Sequence, residues 1–160
     1  MSTELILRGR IVTGSMDVPD GVVAVDDGVI TYAGPASGFS VADAGGAEGA
    51  GPDVAERILL PGLVDLHCHG ALGSDFSEGS VEGARSAARY LHSRGTTTLL
   101  GSLVTGSPEH LVRNLTVLRD LADDGLIAGS HLEGPFLASA QCGAHDPELL
   151  LEPDAGLVAE

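Results

Sequence analysis

The sequence contains no lysine and no tryptophan, and aromatic residues make up only 3% of it. Its core must therefore be built from leucine, valine, isoleucine and alanine, within a total hydrophobic share of 43%. No stretch approaches the roughly 20 apolar residues with which a helix crosses a bilayer. The N-terminus also lacks the basic and apolar segments of a signal peptide. We therefore expect a globular, cytoplasmic protein with no membrane partner.

Positive charge is also scarce, since eight arginines stand against 23 aspartates and glutamates, for a formal net charge of -15. Such an acidic chain repels phosphate backbones, so nucleic acid is not an expected partner. A small phosphorylated ligand is still compatible with this charge, because it needs only a local cationic pocket. The two cysteines, Cys68 and Cys142, are too far apart in sequence for a disulfide framework.

The N-terminal third is rich in short β-like runs. Residues 19–21 and 26–28 carry turn signals between the later runs, and the Asp-Gly step before Val29 is typical of a hairpin. This pattern predicts a small antiparallel β unit. Residues 34–53, rich in glycine, alanine, serine and aspartate, predict a loop or a poorly ordered insert. The β-like runs cover residues 5–7, 10–12, 22–25 and 29–32.

From residue 58 onward the pattern alternates between strands and helices. Apolar runs suit strands, whereas apolar residues at helical spacing, closed by Gly95 and by Gly125, predict two helices. Ser107 and Pro108 are typical of the start of the second helix. Strand, helix, strand, helix, strand implies an α/β fold with parallel strands and crossover helices. The predicted strands cover residues 58–69, 96–100 and 126–133.

The strongest chemical signal is the pair of histidines at His67 and His69. Side chains two apart on a strand point to the same side, so both imidazoles project together while Cys68 points away. Asp65 has the same parity and could orient a ligand by accepting a ring N–H. Neutral imidazole is a good zinc ligand. A metal site at the carboxyl end of a barrel strand is favoured over the alternative, two polar loop residues.

Glu133 gives the second signal, because it shares a strand face with His131 and is followed at once by Gly134-Pro135. Alone it could be a glutamate solvated at a turn. Combined with the histidine pair, it completes a set of ligands suited to a divalent metal. Taken alone, Cys142 is read as an ordinary small residue and His145 as a surface histidine. The remaining histidines, His92 and His110, lie in the predicted helices and are expected to be structural or solvent-facing.

Together these motifs resemble the amidohydrolase superfamily and, within it, the N-acetylglucosamine-6-phosphate deacetylase family. Residues 61–70 are similar to the superfamily's first barrel strand. Residues 131–136, followed by residues 143–145 and Pro147, are similar to the deacetylase signature. The resemblance implies a partial (β/α)8 barrel, of which residues 58–160 supply the first three strands. Residues 1–57 would be the N-terminal part of a small β-sandwich.

The resemblance also implies roles for single residues. Glu133 would be the metal ligand from strand 3, and His67 with His69 the strand 1 ligands of members with a two-metal site. Ala144 and His145 match positions that contact the sugar phosphate. Zinc is the expected metal, with iron and manganese as alternatives. The family's catalytic aspartate and its other histidine ligands would lie beyond residue 160, so no catalytic residue is expected within this chain.

The implied activity is the hydrolysis of N-acetylglucosamine 6-phosphate to glucosamine 6-phosphate and acetate in amino-sugar catabolism. The expected partner is that small sugar phosphate, and the full-length protein is expected to be a homo-oligomer. One alternative is another amidohydrolase, such as a cyclic amidase or an aminohydrolase. The other is a non-catalytic truncated remnant, because three parallel strands leave a sheet edge and an apolar face uncovered. The isolated chain is accordingly expected to be unstable and inactive.

Overall fold

The computed structural model describes residues 5–40 and 57–159. The chain divides into two compact units, Met1–Pro61 and Gly62–Glu160. This division lies four residues after the predicted boundary, because Ile58 and Leu59 pair with the first strand of the N-terminal unit. Of the loop predicted over residues 34–53, residues 41–53 fall outside the described residues, and its first residues end a strand and form a short 3-10 helix, Ala36–Gly38.

The N-terminal unit is a four-stranded, mainly antiparallel sheet, as the sequence predicts. Its strands are β1 (Leu5–Val12), β2 (Asp17–Asp26), β3 (Val29–Pro35) and β4 (Ile58–Leu59). They lie in the order β3-β2-β1-β4, and only β4 runs parallel to its neighbour. Ile11, Val22 and Ala24 are buried in this unit.

The two predicted turns of this sheet have different outcomes. The Asp-Gly hairpin is confirmed, since Asp27 and Gly28 join β2 to β3 with φ of 49° and 71°, the left-handed conformation that a tight hairpin turn requires. The turn predicted at residues 19–21 is wrong, because these residues lie inside β2. The register between β1 and β2 shifts there by one residue. Such a bulge accommodates Pro19, which has no N–H to give to the ladder.

The C-terminal unit begins with β5 (Leu63–Cys68) and a small hairpin of β6 (Gly70–Ala71) and β7 (Ser74–Asp75). It continues with α1 (Val81–Ser93), β8 (Thr96–Val104), α2 (Pro108–Asp123), β9 (Gly129–Glu133) and the short α3 (Ala155–Val158). Strands β5, β8 and β9 form a parallel sheet in that order. The predicted alternation and the α/β class are confirmed. Within the described ranges, every helix is too short or too polar to cross a membrane.

Local sequence explains where the two long helices begin. Ser80 accepts a hydrogen bond from the Gly83 N–H at the start of α1, and Ser107 accepts one from the His110 N–H at the start of α2. A serine cap satisfies an N–H that the first helical turn leaves free. Pro108 follows the second cap, at a position that needs no N–H.

The core of this unit lies between the helices and the central strand β8. Leu99 and Leu103 of β8 are fully buried against both helices, and Phe76 is the one aromatic ring among these buried residues. Ser102 has the opposite strand parity and is also fully buried. Because the three strands are parallel, their carboxyl ends meet at one edge of the sheet. The helical members of the core are Ala84, Ala87, Ala88, Leu111, Val117, Leu118 and Leu121.

Candidate metal centre

The structure brings His67, His69 and Glu133 together at the carboxyl edge of the parallel sheet. Glu133 Oε2 lies 3.0 Å from His67 Nε2 and 2.9 Å from His69 Nε2. The two imidazole Nε2 atoms are themselves 3.0 Å apart. One ligand atom from each of the three residues thus lies within 4.8 Å of the ligand atoms of the other two. The strand parity predicted this convergence.

Two side chains lie beside the histidine pair. Cys68 is oriented as predicted, whereas Asp65 is not. Cys68 points away from the imidazoles and packs against the hydrophobic core, which confirms its predicted orientation. Asp65, predicted to accept a ring N–H, instead accepts the backbone N–H of His67 at 3.2 Å. Short polar side chains commonly bond to backbone groups two residues away.

These three residues fit a divalent metal by their donor chemistry. Their donor atoms are 2.9 to 3.0 Å apart, near the spacing of about 3.3 Å that ligands take around a tetrahedral zinc ion. Two imidazoles and one carboxylate are ligands that zinc and iron both accept. Three protein ligands are also the usual number in catalytic zinc sites, which reserve a further position for water.

Glu133 is held as a carboxylate by its histidine neighbours. Partial burial acts to raise the pKa of Glu133, but hydrogen bonds from His67 and His145, together with the positive charge of these rings when protonated, outweigh it. The net effect lowers the pKa of Glu133 below its ordinary value. An ionised carboxylate is the form that binds a metal ion.

The side chain of His145 is buried, so its interpretation as a surface histidine is wrong. Its side chain is 8% exposed, and its Nε2 lies 3.5 Å from Glu133 Oε1. Nδ1 accepts the backbone N–H of Thr105 at 3.3 Å and lies 2.8 Å from the Thr105 hydroxyl oxygen. The segment after β9 folds back over the strand ends, and sequence spacing alone does not reveal that return.

A cavity of about 460 Å³ is lined by four of the five predicted site residues, and His67 lies outside its lining. His69 and Glu133 line it together with Ala144 and His145. The two residues that the family resemblance assigns to the substrate are therefore next to the residues that it assigns to the metal. Cys142 also reaches this cavity.

Two buried residues near the site were not identified from the sequence. Ser102 Oγ lies 3.1 Å from Nδ1 of His131, whose ring centre is 4.8 Å from that of His67. Thr105, 8% exposed, links His145 to Glu133, since its hydroxyl also lies 3.3 Å from the Glu133 carbonyl oxygen. Ser102 has the strand parity opposite to that of Leu99 and Leu103 on β8, but parity alone does not reveal its partners, and Thr105 lies beyond the end of that strand.

The two helical histidines have structural contacts, as expected. Both ring nitrogens of His92 lie 2.7 Å from carbonyl oxygens, one of Thr96 and one of Leu126. His110 donates from Nε2 to the carbonyl oxygen of Ser77 at 2.7 Å.

Sequence comparison then places the chain among known proteins. The model of the Amidohydrolase family matches residues 58–159. The chain belongs to the amidohydrolase family. This amidohydrolase is 28% identical over 168 aligned residues to the N-acetylglucosamine-6-phosphate deacetylase of Bacillus subtilis (strain 168), an alignment that covers 98% of the chain and 40% of that relative. Family members generally depend on a divalent metal, in agreement with the group of His67, His69 and Glu133.

Comparison with solved structures also matches the chain to N-acetylglucosamine-6-phosphate deacetylases. The amidohydrolase matches the crystal structure of N-acetyl-D-glucosamine-6-phosphate deacetylase from Mycobacterium smegmatis with a TM-score of 0.78 and 33% identity, over 98% of this chain and 39% of that one. A mutant of the same enzyme in complex with N-acetyl-D-glucosamine-6-phosphate matches with a TM-score of 0.73 and 33% identity, over 99% of this chain and 40% of that one. The chain thus spans about 40% of the length of these relatives.

Proposed function

We propose that the complete protein containing this chain removes the acetyl group from N-acetylglucosamine 6-phosphate, producing glucosamine 6-phosphate and acetate in amino-sugar catabolism. The observation that carries the proposal is the position of Glu133, whose two carboxylate oxygens contact His67 and His69 on one side and His145 on the other. This arrangement lies beside a cavity large enough for a sugar phosphate. A mutant of the Mycobacterium smegmatis relative has been solved in complex with that sugar phosphate.

The proposed fold of the complete protein follows from the same comparison. The parallel sheet β5-β8-β9 would supply the first three strands of a (β/α)8 barrel. The N-terminal sheet would contribute to a small β-sandwich domain. Barrel enzymes assemble their active sites at the carboxyl ends of the strands, which is where His67 and Glu133 lie.

We propose His67, His69 and Glu133 as metal ligands, with zinc as the first candidate and iron or manganese as alternatives. A bound divalent ion would lower the pKa of a water molecule and polarise the acetamide carbonyl. Glu133 contributes an ionised carboxylate from the end of β9. His67 and His69 contribute imidazoles from the end of β5, and the parallel sheet holds these strand ends in register. No catalytic acid or base is assigned to the described residues.

Ala144 and His145 are the proposed substrate contacts. Nδ1 of His145 accepts the Thr105 N–H, so the ring proton is on Nε2, which faces the cavity side occupied by Glu133. A ring N–H in that position can donate to an oxygen of a sugar phosphate. The ring is buried, so its direction is fixed before a substrate binds.

The same proposal gives the partner and the location. The partner is a small sugar phosphate, with neither nucleic acid nor membrane required. Because phosphorylated sugars do not cross membranes unaided, we propose a cytoplasmic location. We also propose that the full-length protein is a homo-oligomer.

The test is an acetate-release assay on the complete gene product, first stripped of metal and then supplied with zinc, iron(II) or manganese. We expect acetate from N-acetylglucosamine 6-phosphate with at least one metal, and much less from unphosphorylated N-acetylglucosamine. Dihydroorotate serves as the comparison substrate for a cyclic amidase. Hydrolysis of the cyclic amide without any acetate release would reject the deacetylase proposal.

A further inference from the structure

The histidine pair follows an irregularity in strand β5. Asp65 is in register with Leu99 of β8, and Cys68 is in register with Gly101. Three steps along β5 therefore match two steps along β8, so β5 carries one additional residue at this bulge. Bulges are frequent next to functional sites, where they redirect a side chain. Here the bulge comes just before His69 and contains His67.

A bulge disrupts the regular ladder, and its backbone N–H groups must find other acceptors. Two side chains serve at this bulge. Asp65 Oδ1 accepts the N–H of His67 at 3.2 Å, and Ser102 Oγ accepts the N–H of Cys68 at 3.1 Å. The residue between the two imidazoles is thus held by a hydroxyl from the neighbouring strand.

Ser102 also fixes a second neighbour of His67. Its side chain is fully buried, so its hydroxyl hydrogen requires an acceptor. Nδ1 of His131 lies 3.1 Å from the hydroxyl oxygen, and Ser102 is in register with His131 across the sheet. The His131 ring in turn packs 4.8 Å from the His67 ring, centre to centre. Ser102 therefore contacts both the main chain next to His67 and the ring that packs on it.

We propose that Ser102 is a positioning residue that directs the imidazoles of His67 and His69 toward Glu133 by holding the β5 bulge. This inference rests on the proposed metal-dependent function, and it assigns Ser102 no contact with substrate. Loss of the hydroxyl would free the Cys68 N–H and the His131 ring. The imidazole pair would then sample other directions, and its affinity for a metal would fall.

Cobalt(II) is the probe, because its absorption spectrum reports the geometry of its ligands. The complete protein, stripped of metal, is titrated with cobalt(II) in the absence of substrate. For Ser102→Ala we expect cobalt affinity about 10- to 100-fold weaker than in the wild type, the range typical of residues that orient metal ligands, with an altered spectrum. Ser102→Thr keeps the hydroxyl and is expected to restore both.

Thr97→Val is the matched control. Thr97 lies on the same strand, and its hydroxyl contacts the Leu63 carbonyl oxygen at the opposite end of β5. Its removal is expected to leave cobalt affinity and spectrum unchanged. If Ser102→Ala fails to fold, Ser102→Cys replaces it, since a thiol of similar size is a poor acceptor. Melting temperatures of the metal-free proteins show which variants are folded.

Wild-type cobalt affinity and spectrum in the folded Ser102→Ala or Ser102→Cys protein would overturn the positioning role. Equal loss in Thr97→Val would overturn it too, because the effect would then belong to the strand pair and not to the bulge. The deacetylase proposal has a separate readout. If Ser102→Ala binds cobalt more weakly than the wild type, the positioning role is supported. If the wild type also releases no acetate, the proposed substrate is rejected while the positioning role stands.

Discussion

Glu133 is the residue on which three imidazoles converge. One of its carboxylate oxygens contacts His67 and His69, and the other faces His145. The same side chain thus serves the proposed metal site and the proposed substrate site. Substitutions at Glu133 are expected to affect both, whereas substitutions at His145 should affect mainly the substrate.

Glu133→Gln tests the metal role, because it keeps the size of the side chain and removes its charge. We expect the complete protein to lose metal affinity by more than about 100-fold, beyond the loss that outer residues of a metal site cause. Metal content after dialysis measures the effect. Glu109→Gln, an exposed change in the first turn of α2, is the control and should keep its metal. Full metal content in Glu133→Gln would contradict the assignment.

Thr105→Val tests the orientation of His145. The hydroxyl of Thr105 lies 2.8 Å from His145 Nδ1, and a buried hydrogen bond of this kind contributes about 1 kcal/mol. We therefore expect kcat/KM for acetate release to fall about five- to tenfold, with metal content unchanged. Thr105→Ser retains the hydroxyl and should behave as the wild type. An unchanged kcat/KM in Thr105→Val would show that the hydroxyl does not orient the ring.

At the scale of single elements, features encoded within one segment could be predicted, and features that join two distant segments could not. The helices α1 and α2 were predicted because their apolar stripes lie within one segment and end at Gly95 and Gly125, and because Ser107 precedes Pro108 at the start of α2. Residues 19–21 were misread because a bulge belongs to two strands and only the pairing of β1 with β2 reveals it. The position of β4 was misread for the same reason, since Ile58 and Leu59 pair with a strand almost fifty residues earlier.

His92 joins three elements through its ring. Its nitrogens lie 2.7 Å from the carbonyl oxygens of Thr96, at the start of β8, and Leu126, just before β9. His92→Ala would remove both contacts and lower the free energy of unfolding by about 1–3 kcal/mol. Equilibrium urea unfolding measures the change. Ser93→Ala, an exposed neighbour on the same helix, is the control, with a change within about 0.5 kcal/mol. A free energy of unfolding for His92→Ala equal to that of the wild type would contradict the bridging role of His92.

Strands β1 and β2 are joined by two exposed ion pairs, Arg8 with Asp20 and Arg10 with Asp17. Hydrogen bonds from these arginines lower the pKa of both aspartates below the ordinary value of 3.8. A depressed pKa in the folded state stabilises the sheet above the ordinary pKa, and this contribution is lost as the pH falls through the lower folded value. The stabilisation therefore disappears only in strongly acidic solution.

Arg8→Gln should raise the titration midpoint of Asp20 toward its ordinary value and leave that of Asp17 unchanged. NMR titration of the side-chain carboxyl carbons measures both midpoints. The internal control is Asp17, whose partner Arg10 is retained. Equal midpoints for Asp20 in the wild type and in Arg8→Gln would show that this pair does not persist in solution.

At the scale of the whole molecule, β5 has an exposed apolar surface. Leu63, Val64 and Leu66 are each more than half exposed, although they belong to a strand of a parallel sheet, a type of sheet that is normally covered on both faces. Exposed apolar edge strands promote association. The 160-residue chain produced alone is therefore expected to self-associate, as size-exclusion chromatography would show.

Val64→Lys tests whether the exposed strand β5 causes the self-association, because a charged residue on an edge strand opposes pairing with another chain. It should shift the isolated chain toward smaller species. Val112→Lys, at an exposed valine of α2, is the control and should have less effect, because a helix offers no strand edge for pairing. A monomeric wild-type chain with a cooperative thermal transition would contradict the prediction.

The candidate site was partly visible in the sequence. His67, His69 and Glu133 could be predicted to meet, because strand parity and the common edge of a parallel sheet bring them together. The burial of His145 could not, since it depends on the fold of the segment after β9. Ser102 could not either, because a single serine in an apolar strand looks like a small residue chosen for packing, and its partners lie 29 and 34 residues away.

The contacts of Glu133 have a consequence for metal choice. Because the Glu133 carboxylate already contacts the imidazoles, the ligand atoms are close together before a metal ion binds. Binding of the ion therefore requires little rearrangement of these side chains. Ligands of this mixed type accept several first-row ions with similar geometry. Which ion occupies the proposed site would then depend on the concentrations of zinc, iron and manganese available during growth.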